Sequence, residues 1–217
     1  MAENIHILTE EITPYLDAAK FEFVVSNLPL VRASRIRSPK NPEDRARRLA
    51  AEVALRRLLR EAGEDYRALT VAYTETGKPY FEGRRDLTFS LSHSGRIAAA
   101  ALAQAATPGE TAPEIGVDIE ALPRGERAER YLALAERFFS PGFLSELRAA
   151  SLEEAPRVFG RLWCLTEAAV KATGSGALDF KAAEGILKTA RSRETRFLSD
   201  AFGTDYALAC VVTGGAE

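Results

Sequence analysis

"LTFSLSHSGRIAAAALAQ", residues 87–104, decides the fold. Two runs of strand-forming and small apolar residues meet at Ser94-Gly95, so the stretch reads as two paired strands joined by a tight turn. Just before it, "LTVAYT" (69–74) reads as another strand. "ETGKPYFEG" (75–83) carries Gly and Pro and reads as a turn leading into a short strand. Upstream lies "NPEDRARRLAAEVALRRLLREAG" (41–63). Asn41-Pro42 starts it, Glu43 and Asp44 sit in the first turn, and Gly63 stops it. Leu49, Val53, Leu55, Leu58 and Leu59 recur at helical spacing, which predicts a long helix. Within the first forty residues "IHIL" and "KFEFVVS" read as strands, and "TEEITPYLDAA" as a turn with a short helix.

Downstream, "AATPGETAPE" (105–114) is a loop of small and turn-forming residues. It divides the chain into an N-terminal half, 1–108, and a C-terminal half, 109–217. The second half opens on the alternating strand "IGVDIEAL". Helical stretches follow in "ERAERYLALAERFFS", "PGFLSELRAAS" and "LEEAPRVFGRLWCLTEAAVKATGSG". Val158, Phe159, Leu162, Trp163, Leu165 and Ala169 keep a helical period in the last of these, and Gly174 ends it. "AEGILKTA", "ETRFLS" and "YALACVVT" read as strands. Each half thus sets a helix against antiparallel strands, and the fold class is α+β.

The 217 residues suffice for a substantial core, and 46% apolar with 28% charged residues is an ordinary globular balance. A net charge of −2 gives no global reason to bind nucleic acid or an anionic membrane. Basic residues are nevertheless dense from Arg32 to Arg60, which leaves room for a local anion site. Cys164 and Cys210 lie in apolar surroundings and read as buried free thiols. No run approaches the ~20 apolar residues of a membrane span, and "MAENIHILTEEI" lacks the features of a signal peptide. A cytoplasmic protein is expected.

Four groups of residues can carry chemistry. Asp118 and Glu120 alternate on a strand and so share a face, with Val117 and Ile119 on the other. They form either a solvated polar face or an all-oxygen site for a hard cation such as Mg²⁺. Glu167 and Lys171 stand four apart on one helix face, as a surface ion pair or as part of a site. Glu167 could add a third oxygen to the carboxylates, and Lys171 could meet a phosphate. His93 sits between two hydroxyls, yet strand geometry points Ser92 and His93 to opposite faces. A nucleophile–base pair is therefore disfavoured, and Ser94 lacks a nucleophile elbow. A turn histidine or a phosphate contact remains. Lys78 is a cation fixed beside a Gly-Pro turn.

In order, "GKPYF", "FSLSHSG", "GVDIE" and "WCLTEAAVKATGSG" resemble the 4′-phosphopantetheinyl transferase family in its surfactin-type, monomeric branch. The resemblance covers most of the chain, from about Arg32 to Gly176. It implies two similar α+β halves related by a pseudo-twofold axis, with coenzyme A in the cleft between them. It implies transfer of the phosphopantetheine arm of coenzyme A to a serine of an apo acyl or peptidyl carrier protein, in the manner of a holo-[acyl-carrier-protein] synthase. Adenosine 3′,5′-bisphosphate would be released. Asp118, Glu120 and Glu167 match the family's Mg²⁺ ligands, with Mn²⁺ as an alternative ion. Lys171 matches the lysine on the pyrophosphate, and Ser92 and His93 lie at the phosphate-binding strand end. Lys78 matches the Gly-Lys-Pro lysine at the nucleotide end. Arg32, Arg35 and Arg47 are the candidates for the 3′-phosphate, and Glu167 is the candidate to take the carrier serine's proton. The surface from about Arg124 to Ser145 would face the carrier.

Two departures stand out. Thr166 replaces a lysine common in the family, and Ala177 looks inserted in "GSGALDF". The first of these favours an alternative: a relative that binds coenzyme A or a carrier with little turnover. A different Mg²⁺ enzyme acting on a nucleoside diphosphate compound is a further alternative, less consistent with "SLSHSG" and "GKP".

Overall fold

A computed structural model describes residues 4–122, 128–175 and 182–214. In chain order the elements are β1 (Asn4–Glu11), a 3₁₀ turn (Thr13–Tyr15), α1 (Ala18–Val25), α2 (Leu30–Arg37) and α3 (Pro42–Glu61). A second 3₁₀ turn (Tyr66–Ala68), β2 (Val71–Tyr73), β3 (Pro79–Phe81), β4 (Leu87–Ser94) and β5 (Ile97–Gln104) follow. Then come β6 (Glu114–Ala121), α4 (Ala128–Phe138), α5 (Pro141–Ala149), α6 (Ala155–Thr173), α7 (Ala183–Thr189), β7 (Ser192–Ala201) and β8 (Thr204–Thr213).

β4 and β5 form the antiparallel hairpin expected from residues 87–104, and β1 joins on the far side to give the order β1-β5-β4. A second antiparallel sheet has the order β6-β8-β7, and β2 pairs with β3 separately. Alternation along β5 explains its run of alanines. Ala98, Ala100 and Leu102 pack under α3, whereas Ile97, Ala99, Ala101 and Ala103 pack against the second sheet. Small residues on both faces let a helix and a sheet approach the same strand. Alternation along β8 does the mirror job. Leu208, Cys210 and Val212 meet the first sheet, while Ala207, Ala209 and Val211 meet α6. The result is a four-layer stack, α3 over one sheet and α6 under the other.

The helix starts follow sequence chemistry. Asn41 caps α3 by accepting from Glu43 N–H, with Pro42 in the first turn. α6 ends at Gly174, whose φ of 67° is the left-handed conformation that glycine tolerates. Two expected strands are helices. "KFEFVVS" becomes part of α1 because Asp17 caps it, accepting from Lys20 N–H, and Phe21 and Val25, four apart, bury one face. "AEGILKTA" becomes α7, burying Ala183 and Leu187 at the same spacing. In each, a short apolar pattern fits period 2 and period 4 equally well, and tertiary burial chooses.

Candidate active site

The two sheets meet through hydroxyls. On β4, Thr88, Ser90, Ser92 and Ser94 alternate and face the second sheet, where β6 is an edge strand. Thr88 Oγ1 donates to Pro113 O at 2.5 Å. Ser90 Oγ accepts Val117 N–H at 3.0 Å, Ser92 Oγ accepts Ile119 N–H at 3.4 Å, and Ser94 Oγ accepts Ala121 N–H at 3.0 Å. The constant offset of 27 shows that β4 and β6 run parallel across this seam. The amide groups that β8 does not pair are thereby satisfied by side chains.

Two of these hydroxyls also hold the carboxylates. Ser92 Oγ donates to Asp118 Oδ1 at 2.7 Å, and Ser94 Oγ donates to Glu120 Oε2 at 2.8 Å. From the facing helix α6, Lys171 Nζ donates to Asp118 Oδ1 at 2.5 Å and to Ser92 Oγ at 3.1 Å, and lies 3.3 Å from Glu167 Oε2. Gly116 makes this closeness achievable: α6 backbone lies where a Cβ would be, with Ala168 O 1.9 Å from that point. Asp118 is 1% exposed, which excludes the solvated polar face for that residue.

The electrostatics are those of crowded acids. Burial, with Asp118 nearby, pushes the Glu120 carboxyl up to about 7. Burial and Asp118 raise Glu167 as well, while Lys171 and a hydrogen bond from Trp163 work the other way. Burial opposes the charge on Lys171, but Asp118 and Glu167 outweigh it and hold the ammonium above its ordinary value. Among the described residues, no three His, Cys, Asp or Glu side chains stand, as placed, in a group that could hold a metal ion. The donor chemistry nevertheless fits a hard divalent cation, which commonly takes one or two carboxylates and completes its shell with phosphate and water. Among the described residues Asp118 Oδ2 is buried without a close hydrogen-bond partner, and Glu120 and Glu167 carry repulsion that a cation would relieve.

These groups line a pocket of about 400 Å³ together with Arg32, Arg35, Arg48, Tyr73, Ser92 and His93. The structure therefore brings Asp118, Glu120, Glu167, Lys171, Ser92 and His93 to one place. His93 is held below its ordinary value, first by desolvation and then by the positive charges of Lys171, Arg47 and Arg48. Arg35 lies over the Tyr73 ring, 3.5 Å from its centroid. Arg32 faces inward instead: its guanidinium pairs with buried Glu52 and donates to Tyr73 OH, and Glu52 also accepts from Tyr66 OH. Arg32 is thus a wall beneath the pocket rather than a free cation.

Arg47 is turned away, donating to Gly95 O at 2.7 Å and bridging Asp44 and Glu43. Its neighbour Arg48 lines the pocket, one step around the α3 turn. Lys78 stands in an adjoining pocket of about 360 Å³, walled by Gly77, Pro79, Phe89, Leu91 and Val170. Its ammonium donates to Ala172 O at 2.5 Å and pairs with Glu114. Leu91, Glu167 and Lys171 line both pockets.

Thr166 lines neither pocket. It is 1% exposed and donates to Leu162 O at 2.8 Å, one turn back. Position 166, where the family commonly has lysine, thus faces the core rather than the pocket. Ala177 and Gly176 lie outside the described residues, as does the segment 123–127 of the carrier-facing surface. Sequence reasoning missed Arg48, Tyr73, Glu52, Ser90 and Ser94. The period-2 hydroxyls of "TFSLSHS" were the visible signal for the two serines.

Known proteins are similar to this chain in sequence. A family profile described as the 4′-phosphopantetheinyl transferase superfamily matches residues 114–212, which span β6 to β8 and include all three carboxylates. The 4′-phosphopantetheinyl transferase AcpT of Salmonella typhimurium is 34% identical over 149 residues, covering 68% of this chain and 69% of its own. The 4′-phosphopantetheinyl transferase of Bacillus subtilis is 29% identical over 162 residues, covering 74% of this chain and 66% of its own. A Synechocystis relative is 33% identical over 160 residues, covering 72% of this chain. The match spans 59% of that relative's length and, like the Bacillus match, falls short of two thirds. The stretch that the family profile matches includes the strand and helix that bring Asp118, Glu120, Glu167 and Lys171 together, and on the Salmonella match the chain belongs to the 4′-phosphopantetheinyl transferase superfamily.

Proposed function

We propose that the chain is a Mg²⁺-dependent 4′-phosphopantetheinyl transferase that modifies a serine of an apo acyl or peptidyl carrier protein, with coenzyme A as co-substrate. One observation carries the reading: Asp118, Glu120, Glu167, Lys171 and His93 line a single pocket beside Arg35 and Arg48. Three acids and several cations in one cavity suit a divalent ion and a polyphosphate, and suit little else as well.

In the reaction, the carrier serine oxygen forms a bond to the phosphorus that bears the pantetheine arm. The phosphoanhydride bond breaks, and adenosine 3′,5′-bisphosphate leaves with the electron pair. Asp118, Glu120 and Glu167 hold the Mg²⁺ or Mn²⁺ ion, which when bound neutralises diphosphate charge. Lys171 and His93 contribute to the same neutralisation from this chain. Glu167, on the α6 face toward the pocket, takes the serine proton. Arg35 and Arg48 meet the 3′-phosphate. The apolar walls of the adjoining pocket, Pro79, Phe89, Leu91 and Val170, suit the flat adenine face, with Lys78 at that end. The carrier approaches over the α4–α5 surface, where Leu132 and Leu134 are exposed. We read the protein as a cytoplasmic monomer of two halves, 1–108 and 109–217. No described helix is long and apolar enough to cross a membrane.

The test is direct. The protein is incubated with Mg²⁺, fluorescent coenzyme A and apo carrier proteins, and label is sought on the carrier serine. Labelling supports the transferase. Coenzyme A binding without label on any acyl or peptidyl carrier would instead support the binding relative, whose main argument, Thr166, faces the core.

A further inference from the structure

We propose that Ser94 is a positioning residue that fixes the Glu120 carboxylate for the metal ion; this rests on the transferase reading. Its hydroxyl is held from both sides. It accepts Ala121 N–H at 3.0 Å and donates to Glu120 Oε2 at 2.8 Å. One oxygen thus ties the backbone after Glu120 and the side chain of Glu120 itself to the end of β4. That end is anchored independently: Arg96 N–H donates to Tyr206 OH at 3.0 Å, and Tyr206 lies opposite Ala121 in the β6–β8 ladder. The hydroxyl therefore sits on a rigid support in both sheets.

The chemistry follows from a hydrogen-bonded ligand. A carboxylate whose one oxygen is occupied by a donor has a fixed orientation, and its other oxygen is left to face the pocket. Ser90 supplies an internal comparison. It accepts Val117 N–H at 3.0 Å in the same seam, with no bond to Asp118 or Glu120 among the described residues. A role confined to joining the sheets would make the two serines equivalent. A role in aiming Glu120 sets them apart.

The experiment measures Mn²⁺ binding to the full chain by electron paramagnetic resonance, with no coenzyme A or carrier present. Ser94→Ala is expected to weaken Mn²⁺ by about tenfold or more, the range for lost hydrogen bonds to metal ligands. Ser90→Ala is expected to stay within about twofold of the parent, and Ser94→Thr, which restores the hydroxyl, within about threefold. Ser94→Cys keeps the size and offers only a weak donor, so it too should bind more weakly, which covers the case of a misfolded alanine variant. In the transfer assay, raising Mg²⁺ should recover most of the Ser94→Ala rate. Equal affinities for parent, Ser94→Ala and Ser94→Cys would overturn the proposal, as would Ser90→Ala weakening Mn²⁺ as much as Ser94→Ala. Parent protein that binds no Mn²⁺ would overturn the metal reading itself, a separate failure.

Discussion

Replacing Gly116 by alanine should separate the two carriers of the site. The added Cβ would lie 1.9 Å from Ala168 O, 2.6 Å from Ala172 N and 2.9 Å from Ala168 C. All three atoms are helix backbone, so no rotamer change can relieve the contact. Ordinary contact begins at 3.4 Å, so α6 must lift from β6 by about 1.5 Å, the difference between 3.4 and 1.9. The Lys171–Asp118 bond, 2.5 Å long, would then stretch toward about 4 Å, past hydrogen-bonding range. Overpacking costs about 1–3 kcal/mol, and the rigid neighbour argues for the upper end. At about 2–4 °C per kcal/mol for a chain of this length, the melting temperature should fall by about 6–12 °C. A displacement of this size between reacting groups should lower transfer by about a hundredfold. Thermal denaturation and the carrier-labelling assay read both. Gly185→Ala is the control, since a Cβ there meets nothing within 4 Å and lies in α7. A Gly116→Ala protein that melts within about 2 °C of the parent and transfers within about threefold of it would refute the close-approach argument.

Asp118→Ala should abolish Mg²⁺-dependent labelling of the carrier, and full activity would sink the metal assignment. Glu52→Ala strands buried Arg32 and should cost about 3–5 kcal/mol in denaturant unfolding, whereas a cost below about 1 kcal/mol would contradict the buried pair. His93 should titrate below 6.5 by NMR, because its surroundings and three cations disfavour its charge. Since the unfolded chain then binds the extra proton first, this group's contribution is present above 6.5 and is lost as pH falls through that value toward the lower folded one. Coenzyme A should move the His93 midpoint upward, and an unmoved midpoint would separate the ring from the phosphates. Cys164 and Cys210 should resist thiol reagents at pH 8 until the protein unfolds. Burial raises the first well above its ordinary range and the second to about 12, so rapid native labelling would contradict both.

Much of this was legible in the residues. The hairpin of β4 and β5 announced itself through its turn, and α3 and α6 through long periods and end signals. "KFEFVVS" and "AEGILKTA" misled because seven or eight residues carry too little periodicity to separate strand from helix. At the site, alternation placed Asp118 with Glu120, and helical spacing placed Glu167 with Lys171. What joined the two pairs was Gly116, whose meaning depends on a helix 52 residues later, at Ala168. The arginines were harder. Adjacent positions on α3 differ by about 100° in direction, so a one-residue uncertainty exchanges Arg47 for Arg48. Arg32 looked like a free cation because its partner Glu52 is twenty residues away and neutralises it only in the folded chain.

The hydroxyl seam also bears on how the protein avoids self-association. A sheet edge with unpaired amides is a template for another chain. In the second sheet one edge, β6, has Val117, Ile119 and Ala121 N–H covered by serine oxygens from β4. The other edge, β7, displays Arg193, Glu194 and Arg196, charges that discourage stacking. Serines that hold the Asp118 and Glu120 carboxylates therefore double as insulation, and losing one would expose an adhesive strand as well as free a carboxylate.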